Sequence, residues 1–291
     1  MMTFFWTTLL IISLFWIVRF IAAKFFQIKL TPHAETPEKF NIPFEEVRFP
    51  TLNNRSLYGW WIPSAQNSEI TPTLILVHGW SRNVGRMLRY IQHLHPFNYN
   101  LLAFDARHHG SSDEDGFSSM LKFGQDIKQA VNFVMTKCQQ GTKIGLVGLS
   151  IGGAGSIYAA SLDSRIEAVV TVGAPAHARD VMEYEFAKKR LPKIPVVWLL
   201  LKFIQYKIGM PFDDFAPVHN ISKSKAKFLI IHGVDDIVVP YSQGERLFQA
   251  AKPNQAEFWE IEGKAHSNCH HEPGFWTKVE TFLSSALDYK N

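Results

Sequence analysis

The chain is predicted to fold as an α/β domain on a mostly parallel, eight-stranded sheet with helices on both faces. Three observations predict it. Short apolar, β-branched runs alternate with longer helical stretches, the pattern of strands joined by helical crossovers. The first two runs instead meet at Asn53-Asn54, which suits a hairpin turn. A third run ends in Ser150 with glycines at 148 and 152, a sharp turn from strand into helix.

Each element follows from its local pattern. Residues 45–50 and 56–62 form the hairpin, 73–77 is a buried strand, and 100–104, 143–147, 166–172, 227–231 and 257–261 are further short strands. Helical periodicity marks 84–94, 121–138, 241–251 and 275–287, and the small residues from 153 to 162 make a helix that can pack closely on the sheet. The interval between 172 and 227 is too long for a plain crossover. Its apolar segment 195–208, preceded by Lys188, Lys189, Arg190 and Lys193, reads as a helical cap at about 176–224. An extra core helix with solvated lysines nearby is the plainer alternative.

Ahead of this domain, residues 4–18 carry no charge, and 20–23 continue the apolar run beyond Arg19. Twenty helical residues span roughly 30 Å, enough to cross a bilayer. Residues 1–30 are therefore expected to be a single-pass transmembrane anchor, 31–43, with three prolines, a linker, and 44–291 the folded domain. A cleaved signal peptide would want a basic start and a small-x-small cleavage site, neither of which is clear here; a buried or dimer-forming helix is the other rival. Arg19, Lys24 and Lys29 lie on the C-terminal side, so the positive-inside rule places the domain in the cytoplasm. Two cysteines, Cys138 and Cys269, fit free thiols better than a disulfide scaffold. Three of the 30 basic residues fall in the first 30 positions, which leaves the domain near neutral against 26 acids and gives no reason to expect nucleic acid. Oligomeric state is not legible.

A serine hydroxyl is a poor nucleophile at neutral pH and needs a base, which in turn needs an orienting acid. Both belong at the C-terminal ends of later strands, where the sheet edge opens. After 227–231 come His232-Gly233-Val234-Asp235-Asp236, and after 257–261 come Glu262-Gly263-Lys264-Ala265-His266. The order Ser, Asp, His suits this topology. His266 competes with His270 and His271, but it alone follows a strand through a short glycine-containing loop. A metal reading of His266, Cys269, His270 and His271 lacks a carboxylate at ligand spacing, and no cofactor is expected.

Four patterns occur in order: His78-Gly79-Trp80 after a strand; Asp105-x-Arg107-x-x-Gly110-x-Ser112; Gly148-x-Ser150-x-Gly152; and His232-Gly233-x-x-Asp236-x-x-x-Pro240, followed by Gly263-x-x-His266. Over residues 45–290 the chain resembles the α/β-hydrolase superfamily. It is most similar to its membrane-anchored, Bem46-like branch and to the catalytic domains of prolyl-oligopeptidase-type peptidases. The resemblance implies a serine hydrolase with Ser150 as nucleophile, His266 as base and Asp236, rather than Asp235, as acid. One oxyanion donor is expected from the Ile151 amide, directly after the nucleophile; the resemblance assigns the other to Trp80. His78 and His232 are expected to be structural, and Asp105, Arg107 and Ser112 to stabilise a turn in which His108 replaces the usual glycine. The leading expectation is hydrolysis of small-molecule or lipid esters or thioesters. A peptidase of small peptides, which would want a substrate-sizing domain that residues 1–44 cannot supply, and an idle scaffold on the same fold are the alternatives.

Overall fold

The computed structural model describes residues 2–28, 30–65 and 71–289. Lys29, one of the three cations used above to orient the N-terminal helix, lies outside them. Eight strands form one sheet: β1 (Glu45–Thr51), β2 (Arg55–Ile62), β3 (Thr73–Val77), β4 (Asn100–Phe104), β5 (Ile144–Leu149), β6 (Ile166–Val172), β7 (Lys227–Gly233) and β8 (Ala256–Ile261). Their spatial order is β1-β2-β4-β3-β5-β6-β7-β8. The pairs β1/β2 and β2/β4 are antiparallel, and every pair from β4 to β8 is parallel. Strand order reverses between β3 and β5, so the C-terminal ends of those two strands flank the crevice in which open α/β sheets bind ligands.

The parallel strands β3 to β7 are largely apolar on both faces because both are covered, whereas the edge strand β8 carries Glu257 and Glu260 and is only partly buried. Along β3, Leu74 and Leu76 enter one core with Tyr90, Ile91, Val279 and Leu283, while Ile75 and Val77 enter the opposite core with Phe123, Ile127, Ile157 and Leu247. The covering helices are α2 (Leu88–Leu94) and α10 (Phe275–Ala286) on the first face, and α3 (Met120–Lys137), α4 (Ile151–Leu162) and α9 (Ser242–Ala250) on the second. The segment expected as one helix over 84–94 begins as a 3-10 turn, Val84–Met87, capped by the Asn83 side chain, which accepts from the Gly85 amide.

Between β6 and β7 the chain makes a helical excursion: α5 (Ala178–Lys188), α6 (Trp198–Ile208), α7 (Phe212–Phe215) and α8 (Pro217–Asn220). The helix expected from 195 opens there as a wide π-type turn, with Ile194 before it extended and Pro195 placed in the first turn, and continues as regular α-helix from Trp198. These helices build a third core of Met182, Phe186, Leu200, Ile204, Phe212 and Phe215.

The N-terminal helix α1 (Met2–Phe25) joins that third core. Val18 and Ala22 are buried in it and Phe25 and Phe26 pack against it, whereas Phe4, Trp6, Phe15, Trp16 and Phe20 are exposed. From Phe4 to Phe25 the helix is long and apolar enough to cross a membrane.

The loop after β4 is pinned by buried charge. Asp105 accepts from the Val84 amide at 2.6 Å and the Ser111 amide at 2.7 Å, and Ser112 Oγ donates to the Asp105 carbonyl at 2.6 Å. Arg107 Nε donates to Asp126 Oδ1 at 2.6 Å, and its Nη1 to Asp115 at 2.9 Å. His108 takes φ 65°, the left-handed conformation expected of the glycine it replaces. Because Arg107 and Asp126 are both almost wholly buried, removing one partner strands the other's charge. Asp126→Ala is expected to lose about 3–5 kcal/mol in urea denaturation, and Arg107→Met combined with Asp126→Leu to recover much of that loss.

Candidate active site

Ser150 occupies the turn between β5 and α4 with φ 52° and ψ −122°, a conformation that costs a non-glycine residue about 1–3 kcal/mol. Its amide donates to the Val172 carbonyl of β6 at 2.8 Å, and its carbonyl accepts from Ala154 at 3.1 Å in the first turn of α4. The neighbouring glycines are required by approach distance. A Cβ at Gly152 would lie 2.4 Å from the His78 carbonyl oxygen, and one at Gly148 would lie 2.6 Å from the backbone of Gly152 and Gly153. The serine is thus presented at the sheet edge beside the end of β3.

His266 lies in the loop after β8, and its Nδ1 is 2.7 Å from Asp236 Oδ2. Asp236, in the loop after β7, is buried, and its other oxygen accepts from the amides of Val238 at 2.9 Å and Val239 at 2.8 Å. His232 Nε2 lies 3.4 Å from Oδ2 and donates to the Val239 carbonyl at 2.9 Å. Burial alone would push the Asp236 carboxyl up, but the hydrogen bonds from His232, His266 and the Val239 amide outweigh it and hold it well below the usual carboxylate range. An ionised Asp236 fixes the proton of His266 on Nδ1 and leaves Nε2 with its lone pair. Asp235, the rejected neighbour, is exposed.

Ser150 and His266 face one cavity of about 300 Å³ with Trp80, Arg82, Arg86 and His270. A second cavity of about 380 Å³ also opens on Ser150 and Trp80, and holds Ile151; its walls are largely apolar, from Phe25, Met182, Ile204, Phe212 and Phe215 among others. All five residues expected at the site thus lie at the C-terminal sheet edge, with Ser150, Trp80 and His266 around one space, Ile151 in the space adjoining it, and Asp236 behind His266. His270 is buried in the wall of the first cavity, and His271 lies 2.9 Å from an Arg89 guanidinium nitrogen.

The structural histidines have identifiable partners. His78 Nε2 accepts from the Ala106 amide at 3.0 Å and Nδ1 donates to the Gly79 carbonyl at 2.7 Å, which ties the loop after β3 to the loop after β4. Burial, then the neighbouring His109, push its pKa down to about 3, so the ring stays neutral. Among the described residues one histidine–carboxylate group is close enough to share an ion: His177, Asp213 and His219 at the base of the excursion. There the Arg179 amide already occupies His177 Nδ1, and Nε2 is 2.8 Å from Asp213, which leaves that ring no lone pair for a metal. His266, Cys269, His270 and His271 do not converge in this way.

Sequence reasoning missed Gly173 and the aromatic end of α1. Gly173, at φ 63°, follows β6, and a Cβ there would lie 3.0 Å from His266 Nδ1. A glycine directly after a β-branched strand was the available signal. Phe25 and Phe26 lie with ring centroids 6.5 and 6.4 Å from that of Trp80, a contact no local pattern announces.

A family model described as serine aminopeptidase, S33, matches residues 68–208. YqkD of Bacillus subtilis is 27% identical over 241 residues, 78% of this chain and 79% of its own length. Bem46 of Schizosaccharomyces pombe is 23% identical over 253 residues, 86% of this chain and 79% of its own. The yeast membrane protein YNL320W is 23% identical over 254 residues, 86% and 83% of the two chains. Among solved structures, the Pyrococcus furiosus esterase Pf2001 superposes with a TM-score of 0.73 at 21% identity, covering 90% of this chain and 98% of that one.

Two outcomes follow from the geometry. Gly173→Ala should displace the His266 ring, and NMR should show the downfield Nδ1 proton signal of the imidazole–carboxylate pair shifted or lost while far-UV circular dichroism is unchanged. Because the folded-state pKa of Asp236 lies below its unfolded value, its contribution to stability is present above the ordinary carboxylate pKa and fades as pH falls through the lower folded value. Asp236→Asn should therefore flatten the acid side of the stability–pH curve measured by urea denaturation. With its eight-stranded sheet, serine elbow and strand-end loops, the chain has the α/β-hydrolase fold.

Proposed function

We propose that this protein is a membrane-anchored serine hydrolase that cleaves carboxylic ester or thioester bonds of lipidic acyl substrates. The observation that carries the reading is the Asp236–His266 hydrogen bond at 2.7 Å, in a loop that shares a cavity with Ser150 at its strained turn. His266 Nε2 takes the Ser150 proton as Oγ attacks the acyl carbonyl. The oxyanion rests on the amides of Ile151 and Trp80; Ile151 is the first residue of α4, where the helix dipole adds to the hydrogen bond. His266 then gives its proton to the leaving group, and water releases the acyl chain from Ser150 by the same steps.

The apolar cavity supports an acyl chain, and the excursion over 176–224 acts as its cap. Ile194, Trp198 and Tyr206 are exposed on that cap among Lys193, Lys202 and Lys207, a composition suited to the interface of an anionic membrane. Anchored by α1, the cap lies against the bilayer with the apolar cavity opening between them. Arg19 and Lys24 support a cytoplasmic face for the domain.

A peptidase reading draws on the description of the matching family model. An aminopeptidase needs a free acidic group near the nucleophile to receive the substrate's ammonium; the cavity shared by Ser150 and His266 carries Arg82 and Arg86, and Glu185 of the adjoining cavity is already paired with Lys188 at 2.9 Å. Fluorophosphonate labelling and an acyl panel test both readings. Ser150→Ala should abolish labelling and lower kcat at least about a thousandfold. Octanoyl esters should exceed acetyl esters at least about tenfold in kcat/KM, given roughly 0.8 kcal/mol for each buried methylene. Turnover of aminoacyl amides without ester turnover would reverse the assignment.

A further inference from the structure

Ser150 stands where two cavities of opposite character meet. The apolar one contains Ile151 and the end of α1; the other contains His266 and two arginines, Arg82 and Arg86. Arg86 Nη2 donates to the Ser267 carbonyl at 3.2 Å, which fixes that guanidinium to the loop carrying the base. Among the described residues no carboxylate lies within 4.0 Å of Arg82, Arg86 or the adjacent Arg89, although Glu272 of the same loop pairs with Lys264 at 3.3 Å. Burial, then the neighbouring His271 and the guanidinium groups of Arg86 and Arg89, push His270 down to about 4. Among the described residues, Arg86 is thus a half-buried guanidinium without a carboxylate partner, and the exposed Arg82 stands beside it, an arrangement that an anion entering the cavity would complete.

The chemistry assigns this pocket to one half of the substrate, an assignment that rests on the hydrolase reading above. The imidazole that takes the Ser150 proton must return it to the leaving oxygen or sulfur, so the leaving group lies on the His266 side. We propose that the substrate is an acyl ester or thioester whose leaving group carries an anion, phosphate or carboxylate, held by Arg82 and Arg86 while the acyl chain occupies the apolar cavity. On attack the C–O or C–S bond to that group breaks, its heteroatom receives the proton from His266, and the anion leaves with its charge unchanged.

The test uses the full-length protein in detergent and four octanoyl esters that share one acyl chain. Their alcohols are glycerol 3-phosphate, 3-hydroxybutyrate, glycerol and choline. The kcat/KM for the phosphate or the carboxylate ester should exceed that for the glycerol ester at least about tenfold, with the choline ester poorest. That ratio should shrink with added salt and fall toward unity in Arg86→Gln and, independently, in Arg82→Gln, an exposed position where folding is not at stake. Arg86→Glu should shift preference toward choline. Preference for phosphate alone or for both anions supports the pocket and distinguishes its ligand; equal rates for glycerol and both anions, or a choline preference in the native protein, overturns it. Fluorophosphonate labelling separates the two layers: labelling with no anion preference removes this proposal alone, and absence of labelling removes the hydrolase reading beneath it.

Discussion

Ser150 is held in a left-handed backbone conformation by the packing of α4 against β3 and β6, and the rest of the site is arranged around that constraint. The strain of about 1–3 kcal/mol is tolerated because the β6 carbonyl of Val172 anchors the Ser150 amide at 2.8 Å and the helix begins at the next residue. Gly152 lets the helix start approach the His78 carbonyl more closely than any Cβ would allow. The same approach sets the Ile151 amide beside the end of β3, where Trp80 follows. One backbone requirement thereby fixes the hydroxyl and the position of the two nearest candidate donors.

Around this point the strand-end loops are tied to each other by buried polar groups rather than by side chains that contact a ligand. His78 joins the loop after β3 to that after β4, and Asp105 joins the latter to the 3-10 turn that presents Arg86. Arg107 and Asp126 clamp it to α3. On the other side, Asp236 is gripped by two amides and flanked by two imidazoles. His78, Asp105, Arg107, Asp126 and Asp236 are each hydrogen-bonded, which limits the play of the site they surround.

The sheet was legible because buried parallel strands are short, continuous and β-branched: 73–77, 100–104 and 166–172 coincide with β3, β4 and β6. Ser150, Asp236 and His266 were legible because each stands in a turn or loop shortly after a strand end, at Leu149, Gly233 and Ile261 respectively. Where expectation and structure part, the reason is non-local. The helix at 84–94 opens as a 3-10 turn because Asp105, from another loop, captures the Val84 amide. Gly173 reads as an ordinary turn glycine until the fold brings His266 against it. Arg86 looks like a solvated charge on a helix start until the Ser267 carbonyl of the loop after β8 accepts from it.

The end of α1 belongs to two structures at once. Its exposed aromatic face is that of a membrane segment, yet Phe25 and Phe26 wall the same cavity that opens on Ser150. A shortened form lacking the first 26 residues would keep its sheet and its serine, but its apolar cavity would become a gutter without the Phe25 and Phe26 wall. Any chain-length selectivity recorded on such a form would describe the gutter. The segment proposed to tether this protein also lines the cavity proposed to measure its acyl chain.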